Sequence, residues 1–166
     1  LNGGAAELLG YCDSNWCKDK DDRKSTAGYV FMVGEKPISW CSKKQNVVAL
    51  SSCEAEYVAA SIGAYQALWL ETLLEELKLR ETKLVKLLID NKSAIDLAKH
   101  PIAHGRSKHI ETKYHFLRDQ VSKDRLVLQH CRPEEQIADI LTKPLKNAKF
   151  VELRSRLGVQ SMTNLN

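Results

Sequence analysis

The sequence predicts an α/β domain in which helices flank a mixed sheet of five strands. Three observations carry this. Three strand-like runs, the second rich in β-branched and aromatic residues, fall within the first 45 positions, close enough to pair as an antiparallel meander. A long stretch of helical periodicity follows them. Two further strand-like runs then alternate with helical segments, and helices between strands around one core argue an α/β sandwich with a mixed sheet.

Residues 8–12 form a short apolar run ending in Asp13, and the polar loop SNWCKDKDDRKS follows. Thr26–Val33 (TAGYVFMV) reads as a strand stopped by Gly34. Residues 35–45 hold Ile38, Trp40 and the basic pair Lys43 and Lys44, and read as a third strand turning back. The long helix lies within residues 47–79. Ser51 is its N-cap, and Glu54 completes the capping-box pattern S-x-x-E. Its predicted buried stripe is Ala55, Val58, Ala59, Ile62, Tyr65, Trp69, Leu73 and Leu77.

Residues 84–89 (LVKLLI) are the fourth strand, with Asp90 at its C-terminal end. NKSAIDLAKH reads as a short helix stopped by Pro101, and HGRSKH as a polar loop. Ile110, Tyr114, Leu117 and Val121 define an amphipathic helix over 108–123. Residues 126–131 (LVLQHC) are the fifth strand. Pro133 suits the first position of a helix and Glu134 and Glu135 its positive end, so a single helix is predicted that holds Asp139 and ends near Pro144. Residues 146–157 form a last amphipathic helix. The expected organisation is a linker over 1–7, one domain over 8–158 and a loose tail over 159–166.

At 166 residues the chain is long enough for a real hydrophobic core, and 43% hydrophobic with 28% charged residues is an ordinary globular balance. A net charge of +4 permits a polyanionic partner without demanding one. No apolar run is long enough to span a bilayer, so no membrane partner is expected. The five cysteines form no C-x-x-C pair, and the expected setting is reduced and intracellular. The Gly-Gly in the opening LNGGAAELLG reads as linker, as in a segment of a longer polypeptide.

Four acids come from four distant elements: Asp13 after the first strand, Glu56 at the start of the long helix, Asp90 after the fourth strand and Asp139 in the late helix. Strand ends beside a helix start are where sites form in open sheets. Hard divalent cations want several oxygen ligands that converge in space. Asp139 lies between Ala138 and Ile140, and an acid in such apolar company is costly unless partnered. Glu54 already serves the cap, which leaves Glu56 free for chemistry.

The segments YCDSNW, RKSTAGYVF, ISWCSKKQ, SSCEAEYVAA, LLIDNKSAI, SKHIETKYHFLRD and EEQIADILTKPL occur here in one order. Together they resemble the ribonuclease H domain of copia-type LTR retrotransposon pol polyproteins, over nearly the whole chain. The resemblance implies a ribonuclease H-like fold, with three antiparallel strands then two parallel ones, and a D-E-D-D metal site at Asp13, Glu56, Asp90 and Asp139. It implies two Mg²⁺ ions, with Mn²⁺ as a substitute, and hydrolysis of the RNA strand of RNA–DNA hybrids to 5′-phosphate and 3′-hydroxyl ends. The implied partners are the hybrid and the reverse transcriptase domain of the same polyprotein, in the cytoplasm within a virus-like particle. His130, nine residues ahead of Asp139, is the candidate for the mobile histidine of cellular ribonucleases H. His109 and His115 belong to the shared SKHI and YHF segments, and His109 is a candidate substrate contact.

Discrimination of RNA from DNA requires contact with the ribose 2′-hydroxyl. Ser14, Ser51, Ser52 and Asn91 adjoin the acids and are the candidates for it. Arg23, Lys24, Lys43, Lys44, Arg106 and Lys108 are candidates for phosphate neutralisation. Three rival readings carry less. A zinc module built on His100, His104 and His109 lacks the closely paired cysteines of structural zinc sites. A non-catalytic connection domain of ribonuclease H type would have lost acids, and all four are here. An integrase or junction resolvase would use other acid spacings and lack the YVF and ISW strand pair.

Overall fold

The structure, a computed structural model, describes residues 7–79, 84–100 and 108–159, side chains 108–114 excepted. Five strands make one sheet in the order β3-β2-β1-β4-β5: β1 (Leu8–Asn15), β2 (Thr26–Val33), β3 (Lys36–Lys44), β4 (Val85–Ile89) and β5 (Leu126–His130). β1, β2 and β3 pair antiparallel, while β1–β4 and β4–β5 are parallel, as predicted. The helices are α1 (Ser52–Glu76), α2 (Lys92–Lys99), α3 (Lys108–Ser122), α4 (Asp139–Thr142) and α5 (Asn147–Arg156). Among the described residues, no helix is long and apolar enough to cross a membrane.

The turn into β3 uses Gly34 at φ +61°, a left-handed conformation that glycine adopts without steric cost. Pro37 is tolerated because β3 is an edge strand, and the register slips beside it, between Phe31 and Met32 of β2. Strand alternation divides the core in two. Leu8, Cys12 and Phe31 pack with Leu87 and Ile89 of β4 under α1. Tyr11, Val30 and Met32 face the other way and pack with Ile137 and Ala138 at the approach to α4.

Ser51 caps α1, its hydroxyl accepting the Glu54 N–H at 3.1 Å. Glu54 Oε2 accepts the Leu50 N–H at 2.8 Å, one residue ahead of the cap position that a capping box would use. The predicted stripe holds only in the N-terminal half of α1. Tyr65, Trp69 and Leu77 are 54%, 58% and 56% exposed, and the buried face runs instead through Ala60, Ala64, Ala67, Leu70 and Leu74. Small residues bring the helix axis close to the sheet, and a β-carbon on Gly63 would meet Cys12 Sγ at 2.4 Å. Tyr65 stacks on Phe116 of α3, with ring centroids 4.0 Å apart.

The single helix predicted around Asp139 is also corrected. Pro133–Glu135 is a 3-10 turn, Gln136 is extended, and α4 is one short turn starting at Asp139. The break follows from Gln136: its buried amide donates to the Cys12 carbonyl at 2.9 Å and its oxygen accepts the Ala138 N–H at 3.2 Å. That pins the segment to β1 beside Asp13. Gly28 of β2 leaves the room, since a β-carbon there would lie 2.7 Å from Thr142 Cγ2. The Ile110 and Tyr114 side chains, residues 101–107 with most of the predicted HGRSKH loop, most of the predicted linker and nearly all of the tail lie outside the described residues.

Gly63→Ala is expected to lower stability by about 1–3 kcal/mol through overpacking. Combining it with Cys12→Ala should lose less than the two single changes together, because the clashing sulfur is gone. Urea denaturation of the four proteins in that cycle measures the coupling, and strict additivity would refute the proposed contact.

Candidate metal centre

β1 and β4 are parallel neighbours, so both C-terminal ends open on one edge of the sheet. Asp13 lies near the end of β1 and Asp90 just past the end of β4. Alternation along β1 turns Asp13 to the Tyr11 side, the side on which α4 packs. Asp13 is fully buried. One of its oxygens accepts the Thr142 hydroxyl and the other accepts from Lys143 Nζ at 2.9 Å. The same ammonium lies 2.8 Å from Asp139 Oδ1, so it bridges two of the four acids.

Glu56 reaches the edge from α1. Its Oε1 accepts the Ser14 N–H at 3.0 Å, which ties the helix start to β1. Its Oε2 is buried without a hydrogen-bond partner. One carboxylate oxygen from each of Asp13, Glu56 and Asp90 lies within 4.8 Å of the others. Burial, then the charges of Asp13 and Asp90, push the Glu56 carboxyl from 4.5 up to about 10. Asp90 is raised by burial and then by Asp13. Asp139 is raised by burial against the hydrogen bond from Lys143. Burial works against the Lys143 ammonium, but Asp13 and Asp139 outweigh it and its pKa is raised.

This donor set fits a hard divalent cation. Such ions take oxygen ligands, and here three carboxyl oxygens converge, Glu56 also carries a buried unpaired oxygen, and the acids disfavour one another's charge. Among the described residues this is the group of acids, histidines and cysteines able to hold a metal, and no cysteine enters it.

No protein-family model matches the chain. Among curated proteins it is 42% identical over 157 residues to the retrovirus-related Pol polyprotein from transposon RE1 of Arabidopsis thaliana, covering 95% of this chain and 11% of that protein. It is 40% identical over 160 residues to the Pol polyprotein from transposon TNT 1-94 of Nicotiana tabacum, covering 96% and 12%. The chain belongs to the Pol polyproteins of copia-type transposons. This Pol segment spans only 11–12% of the length of the curated relatives it matches. Among solved structures, the N-terminal RNase H domain of a Mycobacterium tuberculosis protein matches at TM-score 0.60 and 12% identity, over 90% of this chain and 97% of that one. LC11-RNase H1 in complex with an RNA/DNA hybrid matches at TM-score 0.56 and 16% identity, over 82% and 94%. The fold is therefore ribonuclease H-like.

The remaining predicted site residues of this Pol segment are divided. Ser14 is buried, its hydroxyl donating to the Thr26 carbonyl at 3.2 Å and accepting from Gln45 Nε2 at 3.1 Å. Ser51 caps α1, and Asn91 caps α2 by accepting the Ala94 N–H at 3.1 Å. Ser52 is exposed at the first turn of α1. In the β1–β2 loop Arg23 is exposed, Lys24 lies 3.7 Å from Asp22, and Lys44 pairs with Asp19 at 2.6 Å. His130 is exposed at the end of β5, in register with Ile89, the residue before Asp90. It lines a cavity of about 480 Å³ with Lys92, Asp96 and Lys99. Arg106 and the side chains of Lys108 and His109 lie outside the described residues.

Sequence reasoning missed Thr142 and Lys143. A signal existed, because Asp139 and Lys143 stand four apart in one helical turn, the spacing of an ion pair.

The raised Glu56 carboxyl gives a signed prediction. Between about pH 4.5 and 10 the folded protein holds a proton there that the unfolded chain releases, so this group's contribution to stability falls as pH rises. In EDTA, Glu56→Gln should therefore gain stability over the parent from pH 5 to pH 9, read from urea midpoints. A difference independent of pH would contradict the burial of this acid.

Proposed function

We propose that this chain is the ribonuclease H module of a retrotransposon Pol polyprotein and hydrolyses the RNA strand of RNA–DNA hybrids. The observation that supports it best is the convergence of acids from β1, α1 and β4 on one edge, with Glu56 Oε2 buried and unpaired. Asp13, Glu56 and Asp90 would hold a divalent cation, Mg²⁺ or in its place Mn²⁺, and Asp139 with Asp13 would serve a second. Bound there, such ions supply Lewis-acid stabilisation of phosphoryl charge and make water a stronger acid.

The residues of the chain set the conditions for that chemistry. Thr142 and Lys143 fix the Asp13 carboxylate, and the Ser14 N–H fixes one oxygen of Glu56 while the other stays open to a ligand. Glu56 must give up its proton when a cation binds. His130, exposed at the end of β5 in register with Ile89, is by family resemblance the candidate to assist proton transfer or product release. The hybrid would lie across the edge where Ser52, Arg23 and Lys43 are exposed. By family resemblance the products carry 5′-phosphate and 3′-hydroxyl ends. The reverse transcriptase of the same polyprotein is the proposed neighbour, in a cytoplasmic virus-like particle.

Cleavage of an RNA–DNA hybrid, but not of single-stranded RNA, is expected with Mg²⁺ and not with EDTA. Asp90→Asn should cost several kcal/mol of transition-state stabilisation, roughly 10²–10³-fold in rate. Cleavage that survives this change would locate the activity elsewhere. A well-folded chain that cleaves nothing would favour the non-catalytic connection domain.

The two glutamates of α1 should separate. Glu54→Ala is expected to cost roughly 1 kcal/mol of stability, the scale of a lost cap, with hybrid cleavage largely kept. Glu56→Gln should abolish cleavage without that loss. Melting curves and rates on both variants test the division, and equal loss of activity in the two would undo it.

A further inference from the structure

The acidic site is not uniform. On the side of Asp13, Glu56 and Asp90, three carboxyl oxygens converge and Glu56 Oε2 is buried without a partner. Between Asp13 and Asp139 a cation is already in place: Lys143 Nζ lies 2.9 Å from one carboxylate and 2.8 Å from the other. Any divalent ion seated between those two acids must displace this ammonium, because two cations a few ångströms apart repel strongly in a poorly solvated site. The ammonium can leave. Lys143 follows the last residue of α4 in extended backbone, and its side chain is 31% exposed on a flexible four-carbon stem, whereas Asp13 is fully buried.

We propose that Lys143 is a resident counter-cation that reserves the Asp13–Asp139 position, so that in the absence of hybrid the chain takes up one divalent ion tightly and a second only by displacing Lys143. This deepens the function proposed above and rests on it. Loading of the second position is thereby coupled to movement of one side chain, and the four acids can be gathered in folding before two metal ions are present.

Mn²⁺ binding to the 166-residue chain without nucleic acid, followed by electron paramagnetic resonance of the free ion, tests this. In the parent, one Mn²⁺ should bind at least about tenfold more tightly than the second, given the repulsion from the ammonium. Lys143→Met should tighten the second by about tenfold or more and leave the first little changed, and Lys143→Arg should keep the parental pattern. Two Mn²⁺ of like affinity in the parent would overturn the proposal, as would an unchanged ratio in Lys143→Met. A purely structural lysine would lower the melting temperature and weaken both ions without altering their ratio, which also overturns it. If Lys143→Met does not fold, Lys143→Gln replaces it, and the parental ratio decides independently. Absence of any Mn²⁺ bound by Asp90, tested with Asp90→Asn, would overturn the proposed function as well. A normal first ion with an unchanged ratio overturns this inference alone.

Discussion

Carboxyl groups gathered in a poorly solvated corner disfavour one another's charge, and Asp13, Glu56 and Asp90, with one oxygen of each within 4.8 Å of the others, are such a set. Each buried ion left uncompensated costs several kcal/mol. The architecture around them can be read as the means of imposing that arrangement. The antiparallel meander makes β1 central, and the parallel β4 beside it brings a second acid to the same end of the sheet. Gly63 lets α1 settle against Cys12, and Gly28 lets α4 settle on β2. Both close approaches spend side-chain volume to place an acid. Leu8, Phe31, Leu87, Ile89 and Leu117, all fully buried around α1, supply the apolar burial that carries the cost.

Two adjacent turns of α1 illustrate how local and distant demands are separated. Glu54 accepts the Leu50 N–H and steadies the helix start. Glu56, two residues on, faces β1 and accepts the Ser14 N–H. Ser14 in turn meets Gln45, whose amide also donates to the Ala55 carbonyl at 3.0 Å, so strand, loop and helix are joined through one small buried network. The position of Glu56 is therefore fixed by backbone groups and not by the acids it opposes.

Strands were legible because the short apolar runs before Gly34 and Asp90 have few other readings, although β1 runs two residues past Asp13, where its apolar run ends. The acids at strand ends followed from that. The buried face of α1 was misread because the eye follows Tyr65, Trp69 and Leu77, whereas close packing against a sheet selects Ala60, Ala64 and Ala67. Ser14, Ser51 and Asn91 were singled out because they adjoin the acids, and what the sequence did not show is that each hydroxyl or amide oxygen also holds the backbone. Lys143 escaped because its role depends on where α4 begins. A helix continuous from Pro133 would have carried Asp139 in mid-helix, while the buried amide of Gln136 breaks the chain and restarts it at Asp139. Such tertiary hydrogen bonds leave no periodic trace.

Charge balance joins the proton on Glu56 to the ammonium of Lys143. Burial and the neighbouring acids favour a proton on Glu56, and the Lys143 ammonium, 2.9 Å from Asp13 and 2.8 Å from Asp139, offsets negative charge on the other side of the cluster. The proton and the ammonium thus each reduce the unbalanced carboxylate charge that the fold must bury. Asp13, Glu56 and Asp90 can thus stand with one oxygen of each within 4.8 Å of the others, with Asp139 joined to Asp13 through Lys143, in a chain that still folds.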